Sequence, residues 1–204
     1  ELSTNSMVSG KHYSEEVLQR AVYVKNPLSS DMEIMRPGML PSLLQAVAYN
    51  RNRKNSDLKF FELGKVYFKG SEGNYFEEER LALVATGNWT GESWHSPARA
   101  ADLHLLKQEV EVLLERMGMS CRASKWSFDG ITSPEASKAW IHIAPVAPGL
   151  LKKWDIQAPV FYAELNWSQL VKSISGGNRM HTKAAPKFPA VRRDLRSEEH
   201  TSEL

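Results

Sequence analysis

The side chains of this 204-residue sequence able to do chemistry are few and scattered. None of the six histidines lies three or four residues from another, so no helix or strand presents a paired metal ligand. His142 sits in an apolar, strand-like stretch, where a hydrogen-bonded structural role competes with that of a ligand or general base. Cys121 is the single thiol; a nucleophilic role would need a base that the sequence does not supply nearby, so a packed or half-exposed thiol is expected. Three consecutive carboxylates, Glu77, Glu78 and Glu79, could chelate a cation but read as a solvated acidic run in a loop. The basic side chains fall in two places: Arg51, Arg53 and Lys54, and the pair Lys152 and Lys153. Either set could meet phosphates, although the first follows a predicted helix and complements its carbonyl end. No G-x-G triplet and no G-x-x-x-x-G-K-[ST] string occurs, which removes the usual Rossmann and P-loop sites.

The elements that must position these groups follow from periodicity. Leu40, Leu43, Leu44 and Val47 recur at offsets of three, four and seven, predicting a helix over Leu40 to Tyr49. A second helix is predicted over Ala101 to Met117, where Leu103, Leu106, Val110, Leu113, Leu114 and Met117 form one stripe before the stop signal of Gly118. Lys59 to Phe68 is aromatic and branched, and Arg80 to Thr86 alternates through Leu81, Leu83 and Ala85. Together they predict antiparallel strands joined by a long polar loop. Gly64 within the first strand marks either a bulge or a close backbone approach. Ala139 to Ala144 and Val160 to Trp167 predict further strands, separated by Pro145, Pro148-Gly149 and the lysine pair. Glu15 to Val24 carries Val17, Leu18, Ala21 and Val22 and leads into a short extended piece that Asn26-Pro27 stops. Strands and helices without a regular parallel repeat make an α+β fold on an antiparallel sheet. Ser173 to Lys187, rich in Ser, Gly, Asn and Pro, is the expected linker, with a new unit starting near Phe188.

Composition bounds the rest. Apolar residues make up 42% and charged residues 25%, enough oil for a core and too ordinary for global disorder. No stretch approaches the ~20 apolar residues of a membrane-spanning helix, and one cysteine cannot form an internal disulfide, so a reducing, cytoplasmic setting is expected. Both ends read as cuts in a longer polypeptide. Arg196 to Leu204 looks like the conceptual translation of a sequencing adaptor and is set aside. The full chain carries 26 basic and 24 acidic residues, or +2; without that tail 25 and 21 remain, or +4. Neither figure argues for nucleic-acid binding. Six tryptophans (Trp89, Trp94, Trp126, Trp140, Trp154 and Trp167) point to interface centres or to core packing.

Several strings, in order, carry a family resemblance. They are Thr4-Asn5-Ser6, Asn26-Pro27-Leu28-Ser29 with Met35-Arg36, Leu40-Pro41-Ser42-Leu43-Leu44 with Asn50 and Asn52-Arg53, and Phe61-Glu62-Leu63-Gly64-Lys65-Val66. Lys107 with Val110-Glu111, Leu150 to Ile156, Tyr162-Ala163-Glu164-Leu165, and Lys187 to Leu195 complete the set. The chain resembles the β subunit of bacterial phenylalanyl-tRNA synthetase in its synthetase-like region; Pro37-Gly38 after Arg36 departs from the usual pattern. The resemblance implies a class II aminoacyl-tRNA synthetase-like antiparallel sheet flanked by helices, in a catalytically silent copy. It implies a core module over 1–185, then at 186–195 a linker and the first strand of a truncated ferredoxin-like anticodon-binding domain, with 196–204 non-native. It further implies an α-subunit partner in an (αβ)₂ heterotetramer, tRNA(Phe) bound by the holoenzyme, and ATP and magnesium used elsewhere in that assembly. The editing site and magnesium-holding carboxylates of the family lie upstream of this stretch, so no residue here inherits those roles.

The residues agree with silence. A class II site needs an arginine on the strand of its second motif to stabilise charge developing on the ATP α-phosphate, and Asp57 to Phe68 contains none. No catalytic, cofactor-binding or metal residue is therefore expected in this fragment. Arg36, Asn50 and Glu62 are candidates for contacts that fix internal geometry or an interface. Two alternatives compete: a divergent catalyst using Arg80 and Arg51 for ATP, and an RNA-binding module through Arg51, Arg53, Lys54, Lys152 and Lys153.

Overall fold

The computed structural model describes residues 7–70, 72–119 and 141–174. Its centre is an antiparallel sheet of four strands: β4 (Leu58–Lys69), β5 (Tyr75–Thr86), β8 (Ile141–Pro145) and β9 (Val160–Asn166), in the order β4-β5-β9-β8. β4 and β5 pair without interruption from Leu58 opposite Thr86 to Lys69 opposite Tyr75. Gly64 therefore makes no bulge; its meaning is the close approach described below. β5 begins five residues before the predicted strand, which takes Glu77, Glu78 and Glu79 out of the loop and into the ladder. Between the two strands the Gly70 amide donates to the Asn74 carbonyl at 2.8 Å.

Period-two alternation gives the sheet two faces. On one, Leu58, Val66, Ala82, Val84, Val160 and Tyr162 are buried beneath α2 (Leu40–Arg51) and α4 (Pro148–Lys153), which contribute Leu40, Leu43, Leu44, Val47 and Leu151. On the other, Ile141, Ile143, Ala163 and Leu165 pack against Leu106, Val110 and Leu114 of α3 (Leu103–Arg116) and Leu170 of α5 (Trp167–Ile174). Each fully buried Leu or Ile in these two layers contributes about 1.5–3 kcal/mol. The Asp102 carboxylate caps α3 by accepting the Leu105 amide at 2.7 Å. Gly118, at φ 78°, ends it where a side chain would be strained, as the sequence signal requires.

Smaller elements frame this sheet. β1 (Met7–Val8), α1 (Glu15–Gln19), β2 (Val22–Tyr23) and β3 (Ile34–Met35) precede α2, and β1, β3 and β2 make a three-stranded sheet with β3 in the middle. β6 (Asn88–Thr90) and β7 (Arg99–Ala100) form a short ribbon before α3. The N-terminal sheet lies along the outer edge of β4. The Arg36 and Arg20 carbonyls accept the Tyr67 and Lys69 amides at 2.9 and 2.8 Å. Capping half of an edge strand in this way blocks unwanted strand pairing there.

Three further expectations are corrected. The stretch around Pro148-Gly149 and Lys152-Lys153 is a six-residue helix, not a spacer, with Pro148 in its first turn where the missing amide costs nothing. The predicted linker cannot begin at Ser173, because α5 runs through Ile174, and Trp167 opens that helix instead of closing a strand. The rest of the linker, Cys121, Trp126, Trp140 and the boundaries at 185, 195 and 196 lie outside the described residues. Among the described residues no helix is long and apolar enough to cross a membrane.

Candidate functional site

Half-buried charged residues of the sheet meet on the face covered by α2 and α4. Even-numbered residues of β4, β5, β8 and β9 share it, so the register lines up Glu62, Ala82, Glu164 and His142 in one row across the strands. Gly64, Arg80 and Asn166 form the next row. Arg36, just beyond β3, enters from the edge: its Nε donates to the Lys65 carbonyl at 2.8 Å and its Nη1 to Glu62 Oε1 at 2.5 Å. The Arg36 side chain is only 4% exposed, whereas that of Glu62 is 32% exposed. Its guanidinium presents Nη2 to Gly64, so that a Cβ built there would fall 1.9 Å from Nη2 and 3.1 Å from Cζ. Glycine is required at this position because it leaves room for a cation.

Arg80 is gripped from two sides. Its Nη2 and Nε donate to Glu78 Oε2 at 2.9 and 3.3 Å, and its Nη1 donates to Glu164 Oε1. The second oxygen of Glu164 accepts the Tyr162 hydroxyl, and Glu78 Oε2 also accepts Asn166 Nδ2 at 3.2 Å. Burial, reinforced by the Glu164 charge, pushes the Tyr162 phenol well above its ordinary range, so it stays a donor. Tyr13 is likewise raised by burial, opposed by Arg36, and donates to the Gly38 carbonyl at 3.1 Å. For Arg80 the largest influence is burial, which lowers its pKa; the paired carboxylates outweigh it and leave the guanidinium raised and charged. Two arginines and three glutamates thus carry a formal charge of −1 on this face, each arginine paired with at least one carboxylate.

The candidates named from sequence separate accordingly. Arg36 and Glu62 are brought into one ion pair. Asn50 stays local: its Nδ2 donates to the Ala46 carbonyl at 2.9 Å, and its own carbonyl accepts the Arg53 and Asn55 amides at the end of α2. Arg51 donates to the Ser56 carbonyl at 3.3 Å, and Arg53 stacks on Tyr49 with its guanidinium carbon 3.4 Å from the ring centre. Lys54 is exposed in a left-handed turn at φ 68°, and Lys152 and Lys153 are exposed at the end of α4. None of these five shares a hydrogen bond or ion pair with the cluster among the described residues. Glu77 and Glu78 are compensated, the first by Lys65 at 2.9 Å and the second by Arg80. His142 is buried in β8. No group of three or more His, Cys, Asp or Glu among the described residues is placed to hold a metal ion.

The pairing of Arg51 with Arg80 as an ATP clamp fails on geometry. Arg51 is tied to Ser56, next to the Leu58 end of the hairpin, whereas Arg80 stands opposite Gly64, six positions along the strand. At ~3.4 Å per residue that is about 20 Å. Sequence reading missed Glu78, Glu164, Tyr162 and Asn166. The one local signal was three polar residues, Glu78, Arg80 and Asn166, on strands otherwise rich in apolar side chains.

Apart from this cluster, one surface is conspicuous. Odd-numbered residues of β4 face away from it, on the side where α3 and α5 pack mainly on β5, β8 and β9. Phe61 is left 77% exposed and Leu63 52% exposed, between Lys59 and Lys65. Lys59 in turn donates to the Trp89 carbonyl at 2.9 Å and lies 4.9 Å from the centre of its ring. The alternation that turns the Tyr67 and Lys69 amides outward does the same at Phe61 and Leu63, where no described residue caps the edge.

Residues 1–167 match the sequence profile of the phenylalanyl tRNA synthetase beta chain CLM domain. The chain is 33% identical to the phenylalanine–tRNA ligase beta subunit of Bacteroides thetaiotaomicron, over 96% of its own length and 26% of that protein. It is 31% identical to the beta subunit of Thermotoga maritima, over 85% of its length and 22% of that protein. It therefore spans about a quarter of the relatives it matches. Pyrrolysyl-tRNA synthetase from Desulfitobacterium hafniense superposes with a TM-score of 0.59 at 16% identity, covering 86% of this chain and 63% of that one. At that identity the likeness is one of fold, and the fold is that of a class II synthetase.

Proposed function

This chain belongs to the phenylalanyl-tRNA synthetase β-chain family, and from that premise we propose that it is a non-catalytic assembly module of phenylalanine–tRNA ligase, docking a companion α subunit that performs the ATP-dependent charging of tRNA(Phe). The observation that carries this reading is the state of the sheet's arginines. Arg36 and Arg80 stand on the face covered by α2 and α4, and both are already paired with carboxylates of the sheet itself, Glu62 for the first and Glu78 and Glu164 for the second. A cation that stabilises a transition state must be available to the charge that develops there. These two are already neutralised.

The exposed strip of β4 supports the second half of the proposal. Two large apolar side chains on an uncovered, partly uncapped edge strand form a surface that a lone domain would hide. The α subunit is its proposed occupant, since the relatives are themselves named as beta subunits. Replacing Phe61 and Leu63 together by aspartate leaves the fold intact, because neither is in a buried cluster, and reduces co-purification of the β chain with its α partner at least tenfold. Undiminished co-purification would place the interface elsewhere.

A further inference from the structure

We infer that the sheet face around Arg80 is an oxyanion site whose ligand is built into the chain: the carboxylates of Glu78 and Glu164 hold the places that the oxygens of a phosphate or pyrophosphate would take. The inference rests on the non-catalytic reading and says what occupies that face instead of a substrate. All three Arg80 nitrogens that donate do so to these two carboxylates. Two further donors aim at the same two carboxylates, the Tyr162 hydroxyl at the other oxygen of Glu164 and the Asn166 amide at the Glu78 oxygen that Arg80 also uses. A fork of guanidinium nitrogens joined by a hydroxyl and a side-chain amide is the donor set that binds an oxyanion. The second guanidinium, Arg36, lies over Gly64, which is the register partner of Arg80, so both cations serve the same small area.

The sheet geometry explains how two glutamates can fill such a site. Glu78 lies two residues before Arg80 on β5 and Glu164 on neighbouring β9, all three on one face. Their side chains are 29% and 14% exposed, and that of Arg80 is 25% exposed, so the charges meet where water screens them weakly. Deleting both carboxylates leaves a half-buried cation with its hydrogen-bond donors in place. Such a group is costly unless an anion from solution replaces what was lost.

The test uses the complete β subunit in complex with its α partner, with inorganic pyrophosphate as the probe in equilibrium dialysis at constant ionic strength. The Glu78→Ala/Glu164→Ala variant is expected to hold one more pyrophosphate per β chain than the unaltered complex. Adding Arg80→Met should return the count to the starting value. An unchanged count, or an added site that survives Arg80→Met, overturns the inference. If the double variant fails to assemble, Glu78→Ala alone is titrated: a pyrophosphate affinity raised about tenfold and lost with Arg80→Met supports the site, and an unchanged affinity overturns it. Loss of the α–β complex after the Phe61 and Leu63 substitutions bears on the assembly role alone, so the two readings fail separately.

Discussion

Replacing Glu62 by glutamine lowers the unfolding free energy by about 3–5 kcal/mol, while replacing its partner Arg36 by methionine costs less, about 1–2 kcal/mol. The asymmetry follows from what each change leaves behind. Without the Glu62 charge, a guanidinium whose side chain is 4% exposed is held against the sheet by neutral acceptors alone, the Lys65 carbonyl and the glutamine amide oxygen. Without Arg36, the carboxylate left over is 32% exposed and regains water, and methionine refills much of the space over Gly64. Urea unfolding of the two variants checks the order. Equal losses would mean that the pair acts only through its hydrogen bonds.

Gly64→Ala breaks the same pair by a different route. The new Cβ would stand 1.9 Å from Arg36 Nη2 and 3.1 Å from Met39 Cε. The guanidinium cannot yield without releasing Glu62 and the Lys65 carbonyl, so the expected loss is about 2–4 kcal/mol. In the background of Arg36→Ala the main obstruction disappears, and the flexible Met39 methyl group, 3.1 Å from the new Cβ, has room to shift. There the substitution becomes neutral or gains about 0.5–1 kcal/mol, because alanine loses less backbone freedom than glycine within a strand. A double-mutant cycle in chemical denaturation therefore reports a coupling of several kcal/mol between positions 28 residues apart in sequence. Additive losses would show that the glycine answers to something other than the arginine.

What the sequence made legible is what depends on local periodicity. Helices α2 and α3 announced themselves through apolar residues at offsets of three and four, and the hairpin of β4 and β5 through alternation. Gly64 was readable as an irregularity, but its cause, an arginine arriving from beyond β3, depends on tertiary closure that no local pattern encodes. The three glutamates misled for a related reason. A carboxylate run signals solvent unless cations compensate it: Lys65 does so for Glu77 across the β4–β5 ladder, which only the register reveals, and Arg80 does so for Glu78 from two residues along the same strand. Helix α5 carried a signal that strand propensity masked: the Asn166 side chain accepts the Gln169 amide at 3.1 Å, a cap at the junction between strand and helix. Of the cluster, Arg36 and Glu62 were readable as polar anchors through the family resemblance. Arg80 and Glu164 stand 84 residues apart, and their meeting is a property of the β5–β9 pairing alone.

Phenylalanine-dependent exchange of pyrophosphate into ATP, measured on a β subunit held in complex with an inactivated α subunit, probes most directly whether a synthetase sheet persists here with its cations internally neutralised. The expected result is no exchange above the blank at any ATP concentration. Exchange that appears in this complex and vanishes with Arg80→Met would contradict it, because Arg80 would then have to leave Glu78 and Glu164 for the nucleotide.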